Sequence, residues 1–445
     1  MKVYGIQNWQ VFQQINGKAD ISISGEADGW LVNPVLEMEK KFFKMFYGAE
    51  VRCVDERTGE ILSPWISAKA ENGKWECTIK DIPVGGPYAI QMKNVFFDGN
   101  EFIKWEINNA ACHIGVGDIY IITGQSNAQG RAHGLHFDSP DMNVRKLDSE
   151  GHWEMACHPF GDGGLHNPFM IFAKLLTQKL GYPIGIIPRA IGGSPITSWI
   201  SGGEHIEKIR RENIGKIKGV LWYQGCNEAV LNNFDDYEEK FMNYLNTIRQ
   251  IFKDDSLPVI TFQLNRFFAG KDMELKDEGY ENIREIQRQM PYKAENVYVI
   301  PTIDLKTMSD DIHNSVSSNR AIGERAAMLA LDVIYNKVKA YKSPELVQAK
   351  KIKSDEIELT FSNVVGNLYT FNASADLLPI CIEDNKGKNN SVDYSVNINK
   401  IIIKTERKIE NETHIKIHCG ANPQYIIIDL DTQLPVICFK NVKLS

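Results

Sequence analysis

The 445-residue sequence predicts an α/β protein built on a parallel sheet, flanked at both ends by antiparallel, sandwich-like β regions. Three observations carry this. The chain is too long for one ordinary core, so two or three domains are expected. In its middle, apolar strand-like runs alternate with amphipathic helical stretches, the pattern of a parallel sheet covered on both faces. On either side, short alternating runs are broken by turn signals, the pattern of antiparallel β structure.

Residues 1–110 carry runs such as Asp20–Ser24 and Trp75–Lys80, separated by Glu71-Asn72-Gly73-Lys74, Pro83-Val84-Gly85-Gly86-Pro87 and Asp98-Gly99-Asn100. An N-terminal β domain is expected there. Residues 111–340 change character. Strands are expected at Ile119–Ile122, Ile184–Ile187, Val220–Tyr223, Val259–Gln263 and Val297–Thr302, with helices at Pro168–Leu180, Tyr237–Phe252 and Asn319–Tyr335. In such sheets the chemistry sits in loops beyond the carboxyl ends of the strands. Residues 341–445 return to β patterning at Glu356–Phe361, Ile401–Lys404, Ile415–His418 and Tyr425–Leu430, around the turn-rich stretch Glu383–Asn390. Periodicity does not say whether these strands pair with one another or with the N-terminal ones.

With 43% hydrophobic and 24% charged residues the chain reads as an ordinary soluble protein. Its net charge of −7 argues against a nucleic-acid partner, which needs a clustered basic surface. No apolar run of spanning length is present, so no membrane partner is expected. The start, MKVYGIQNWQ, carries no secretory signal pattern, and a cytoplasmic location is the expectation, with export the alternative for a trimmed chain. The sequons at Asn372, Asn389 and Asn411 arise readily by chance. The eight cysteines show no C-x-x-C pair, so they read as small buried hydrophobes rather than a zinc or redox motif.

Four loops of the middle region carry chemistry. Gly124-Gln125-Ser126-Asn127 follows a strand and presents a serine hydroxyl in a turn with free backbone N–H groups, although serine there also reads as a helix cap. Arg189-Ala190-Ile191-Gly192-Gly193-Ser194-Pro195 lets a backbone N–H approach a ligand, or is simply a tight turn. Gln224-Gly225-Cys226-Asn227-Glu228 ends a strand and offers the Asn227 amide as donor or as helix cap. Ser309-Asp310-Asp311-Ile312-His313 sets a carboxylate two or three residues before a histidine, suited to orienting one ring nitrogen and leaving the other as a base. Acyl transfer needs a nucleophile, a base, an orienting group and oxyanion donors, and all four types occur here.

In this order and spacing, GQSN, AIGGSPI, WYQGCNEA and DDIH resemble the SGNH hydrolases, and within them the sialate O-acetylesterase-like carbohydrate esterases. The resemblance implies a three-layer α/β/α catalytic domain. It implies Ser126 as nucleophile and His313 as base, with an oxyanion hole of the Ser126 and Gly193 N–H groups and the Asn227 side chain. Asp310 has the common Asp-x-x-His spacing and Asp311 matches Asp-Ile-His; either orients the ring, and spacing favours Asp310 slightly. Many relatives carry Gln-Gly-Glu-Ser-Asn/Asp where this chain has Gln224-Gly225-Cys226-Asn227-Glu228. Gln125, Arg131 and Gln224 are substrate-binding candidates, Arg131 for a sugar carboxylate or as a structural ion pair.

The implied activity is serine-dependent removal of O-acetyl groups from sialic acid or another acetylated glycan, with no cofactor. An α/β-hydrolase is a rival, because Gly124–Ala128 is nearly Gly-x-Ser-x-Gly. That fold takes its acid and its histidine from separate loops, unlike the pair here. A non-catalytic carbohydrate-binding protein is the rival from another class. His133 and His136 invite a metal, but no third ligand is evident in sequence and none is assigned. Trp199, Trp222 and Tyr223 read as core, with sugar stacking as the alternative.

Overall fold

The computed structural model describes residues 2–26, 30–32, 43–98, 101–136, 138–161, 164–268, 277–339 and 342–445. The expected turn at Gly99-Asn100 and the expected boundary at 340/341 lie outside them. The chain forms two compact units: Met1–Tyr120 with Ser139–Cys157 and Ala173–Pro188, and Ile121–Asp138 with His158–Phe172 and Arg189–Ser445. Two segments of the middle region therefore group with the N-terminal strands. The unit division falls within one strand, Glu101–Gly124.

In the first unit, Lys2–Tyr4, Lys18–Glu26 and Lys74–Pro83 form an antiparallel sheet. Lys18–Glu26 alternates strictly, burying Ala19, Ile21 and Ile23 while Lys18, Asp20 and Ser22 face out. That is how a half-buried strand sorts apolar from polar residues. Asn72 and Gly73 both take positive φ (53° and 76°), the requirement of a two-residue hairpin turn. A second antiparallel set runs Phe43–Asp55, Gly85–Asp98, Glu101–Gly124. Ile21, Val51, Ile79, Ile90 and Ile114 share one core.

In the second unit, Gly219–Tyr223, Val259–Gln263 and Val297–Pro301 run parallel as neighbours. Every residue of the first two is buried, as in a sheet covered on both faces. Helix Tyr237–Phe252 buries Tyr237, Phe241, Tyr244, Leu245, Ile248 and Phe252, a single helical stripe. Helix Val316–Val333 starts where the Ser315 hydroxyl accepts the Ser318 N–H at 3.2 Å. Two helices absent from the sequence reading, Glu204–Glu212 and Asp277–Lys293, also lie in this unit. The second buries Arg284, Gln287 and Arg288 on its inner face, so its apolar stripe is interrupted. No described helix is long and apolar enough to cross a membrane.

The C-terminal strands form two four-stranded antiparallel sheets and one two-stranded sheet, and among the described residues none of these strands pairs with an N-terminal strand. Ile357, Leu359, Phe361, Ile380, Ile382, Ile401, Ile403 and Ile415 lie in one shared core. The expected strand Tyr425–Leu430 shrinks to Ile428–Asp429. The Ile427 N–H is taken by a side chain, His418 Nε2, at 3.0 Å rather than by a strand partner. The reading of all eight cysteines as small buried hydrophobes also needs correction: Cys381 and Cys419 form a disulfide and Cys157 is exposed.

Candidate functional site

Strand Glu101–Gly124 ends in glycine for a steric reason. Gly124 has φ 117°, and a Cβ there would collide with the Tyr223 backbone. The Gln125 N–H donates to the Tyr223 carbonyl at 2.9 Å, and the chain enters the short helix Ser126–Gln129. Gln125 is the capping position, so Ser126 is not the cap.

Side chains of this turn tie it to each of the other three motif loops. Gln125 Oε1 accepts the Gly225 N–H at 2.9 Å and the Asn227 N–H at 3.4 Å. Gln129 Oε1 accepts the Gly192 N–H at 3.0 Å. Asn127 Nδ2 donates to the Ile312 carbonyl at 3.3 Å, and its Oδ1 accepts the Asn314 N–H at 3.0 Å. Sequence reasoning gave Asn127 and Gln129 no role, since their partners are backbone groups far along the chain.

His313 Nδ1 lies 2.6 Å from Asp310 Oδ2, while Asp310 Oδ1 accepts the His313 N–H at 3.1 Å. Asp311 occupies a turn with φ 65°, its N–H donating to the Met308 carbonyl at 3.1 Å. The loop is thus a tight turn rather than extended, and Asp310 is the carboxylate against the ring. Asp311 does not cap the following helix; Ser315 does. Partial burial alone would raise the Asp310 pKa, but hydrogen bonds from the His313 ring and backbone hold it below the ordinary carboxylate value. A ring held this way presents its second nitrogen as a proton acceptor.

Gln125, Ser126, Arg131, His133, Gly193, Asn227, Asp310 and His313 line one pocket of about 510 Å³, a volume suited to a small ligand. Asn227 sits inside the helix Cys226–Val230, whose cap is Gly225, and its Nδ2 donates to the Gly193 carbonyl at 3.1 Å. Gln224 is not brought to the pocket. It is fully buried, donating to Glu228 Oε2 at 2.6 Å and accepting the Tyr237 hydroxyl at 2.9 Å. Glu228 Oε1 in turn accepts the Ile196 N–H at 2.6 Å, and burial raises its pKa despite these donors. Cys226 also reaches the pocket wall, but burial and then the Glu228 charge push its thiol up to about 12, so it stays protonated. Trp199, Trp222 and Tyr223 are fully buried core residues, which removes the sugar-stacking alternative.

His133 and His136 part company. His133 faces the pocket, whereas His136 gathers with Asp138, His158 and His166. The sequence showed no third ligand because these residues straddle 139–157, a segment that groups with the other unit.

Residues 116–332 match the family described as carbohydrate esterase, sialic acid-specific acetylesterase. A probable carbohydrate esterase of Arabidopsis thaliana is 26% identical over 238 residues, 46% of this chain and 86% of that protein. The sialate O-acetylesterases of Homo sapiens and Pongo abelii are 23% identical over 286 residues, 50% of this chain. The chain spans about half the length of these two, 52%. A crystal structure of a carbohydrate acetylesterase from Xanthomonas citri shares the fold, with TM-score 0.68 at 20% identity over 98% of both chains.

Proposed function

We propose that this chain, a sialate O-acetylesterase-like carbohydrate esterase by the match of residues 116–332, removes O-acetyl groups from a glycan with Ser126 as its nucleophile. The observation that carries the reading is the 2.6 Å contact of Asp310 with His313 Nδ1, in a pocket that Ser126 also lines. Ser126 Oγ attacks the acetyl carbonyl while His313 Nε2 takes the hydroxyl proton. Asp310 keeps the Nδ1–H tautomer and stabilises the imidazolium. The oxyanion is held by the Ser126 and Gly193 N–H groups and by Asn227, whose amide nitrogen carries a second proton besides the one given to Gly193. The C–O bond to the sugar breaks and the departing oxygen takes the proton from His313. Water, deprotonated by the same ring, then releases acetate and restores Ser126.

Gln125 lines the pocket while its carbonyl oxygen holds the Asn227 loop, and the buried Gln224 acts by holding Glu228. Arg131 lines the pocket and suits a carboxylated sugar, which favours O-acetyl sialic acid over neutral xylo- and manno-oligosaccharides. Acetate release from a panel of all three tests this. Preference for the sialic acid, abolished in Arg131→Gln, supports it; equal or better turnover of neutral oligosaccharides overturns the substrate while leaving the esterase reading.

A further inference from the structure

Outside the pocket, three imidazoles converge on one carboxylate. His136, Asp138, His158 and His166 each offer a ligand atom, and all four atoms lie within 4.8 Å of one another. Asp138 Oδ2 is 2.8 Å from His166 Nε2 and 3.2 Å from His158 Nε2. The rings of His158 and His166 stack at 4.3 Å, and His136 lies 5.0 Å and 5.1 Å from them. The Asp138, His158 and His166 side chains are only 5%, 4% and 2% exposed, so they are shielded from bulk solvent. His158 Nδ1 is buried with no hydrogen-bond partner.

We infer that these four residues form a binding site for a zinc-like divalent cation. In the tautomers that leave the facing nitrogens unprotonated, the three neutral imidazoles and Asp138 gather three nitrogen donors and a carboxylate oxygen in one place. That donor set is the one borderline cations such as Zn²⁺ prefer, in tetrahedral geometry. Bonds of ~2.1 Å imply ligand-to-ligand edges of roughly 3.4 Å, within the span of separations here.

The site braces a wall of the pocket. Ala132 and His166 pair backbone to backbone, and the Leu165 N–H donates to the Gly130 carbonyl at 2.9 Å. Arg131, His133 and Leu165, on these two segments, line the pocket. The cation's role is to hold this wall, and no step at Ser126 uses it.

The test is zinc titration of the full chain, stripped with chelator and dialysed, followed by calorimetry and thermal denaturation. Wild type should bind one equivalent tightly and melt at higher temperature when loaded. His136→Ala, at an exposed ligand whose loss spares the fold, should weaken binding about tenfold or more, while His152→Ala, an exposed histidine elsewhere, should not. Cobalt(II) bound in place of zinc should show the intense visible bands of tetrahedral coordination in wild type and lose them in His136→Ala. No stoichiometric uptake by wild type, or equal affinity in His136→Ala, overturns the site.

Discussion

Asn127 holds His313 by its backbone: one carboxamide bonds the carbonyl before the histidine at 3.3 Å and the N–H after it at 3.0 Å. The residue next to the proposed nucleophile therefore sets the position of the proposed base, across 185 residues of chain. Small displacements of a reacting group are costly, because the encounter geometry is prepaid by the fold. Asn127→Ala should lower kcat by roughly 10²-fold with little change in KM. Steady-state kinetics on a chromogenic acetyl ester reads this directly; an unchanged kcat means the loop holds His313 unaided.

Asp310 and Asp311 should separate cleanly. Asp310→Asn should reduce kcat by roughly 10²-fold or more, since an amide favours the wrong imidazole tautomer and leaves an imidazolium unpaired. Asp311→Asn should leave turnover near wild type, as asparagine tolerates the positive φ at that position. Equal losses in the two variants would contradict the assignment.

The lowered Asp310 pKa also predicts a pH effect on stability. A carboxyl whose folded pKa is depressed adds stability above its unfolded pKa and loses it as pH falls through the folded value. Denaturation midpoints measured across the carboxylate range should fall more steeply on acidification in wild type than in Asp310→Asn. Parallel curves would show that the contact contributes nothing to folding.

Arg284 shows what the sequence hid. This guanidinium, fully buried, donates to the carbonyls of Leu264, Asn265, Gly420 and Ala421 at 2.6–3.0 Å. Arg284→Met should destabilise the chain by about 3 kcal/mol, because four carbonyls, three of them in buried contacts, lose their donor. Urea denaturation measures it, and a change under about 1 kcal/mol would mean that water replaces the donor.

Periodicity marked the strand Val259–Gln263 and the helix Tyr237–Phe252 to the residue, because the strand is a short run buried throughout and the helix buries one stripe. It passed over Asp277–Lys293 because Arg284 and Gln287 point inward there. It took Tyr425–Leu430 for a strand because the apolar run says nothing of where its N–H groups go. At the site, the residue types of an acyl-transfer centre were legible in four short motifs. The choice between Asp310 and Asp311 was not, since it turns on one positive φ. Nor were Asn127 and Gln129, which bind backbone, or the His136 cluster, assembled from segments the sequence holds apart.

In the proposed mechanism Ser126 carries the acetyl group between the sugar and water. Acetate release by Ser126→Ala, compared with wild type at matched thermal stability, addresses it most directly. A loss of roughly 10³-fold or more is expected, with the melting temperature preserved, because Ser126 lines a pocket and fills no core. Acetate release near the wild-type rate from a folded Ser126→Ala would contradict it.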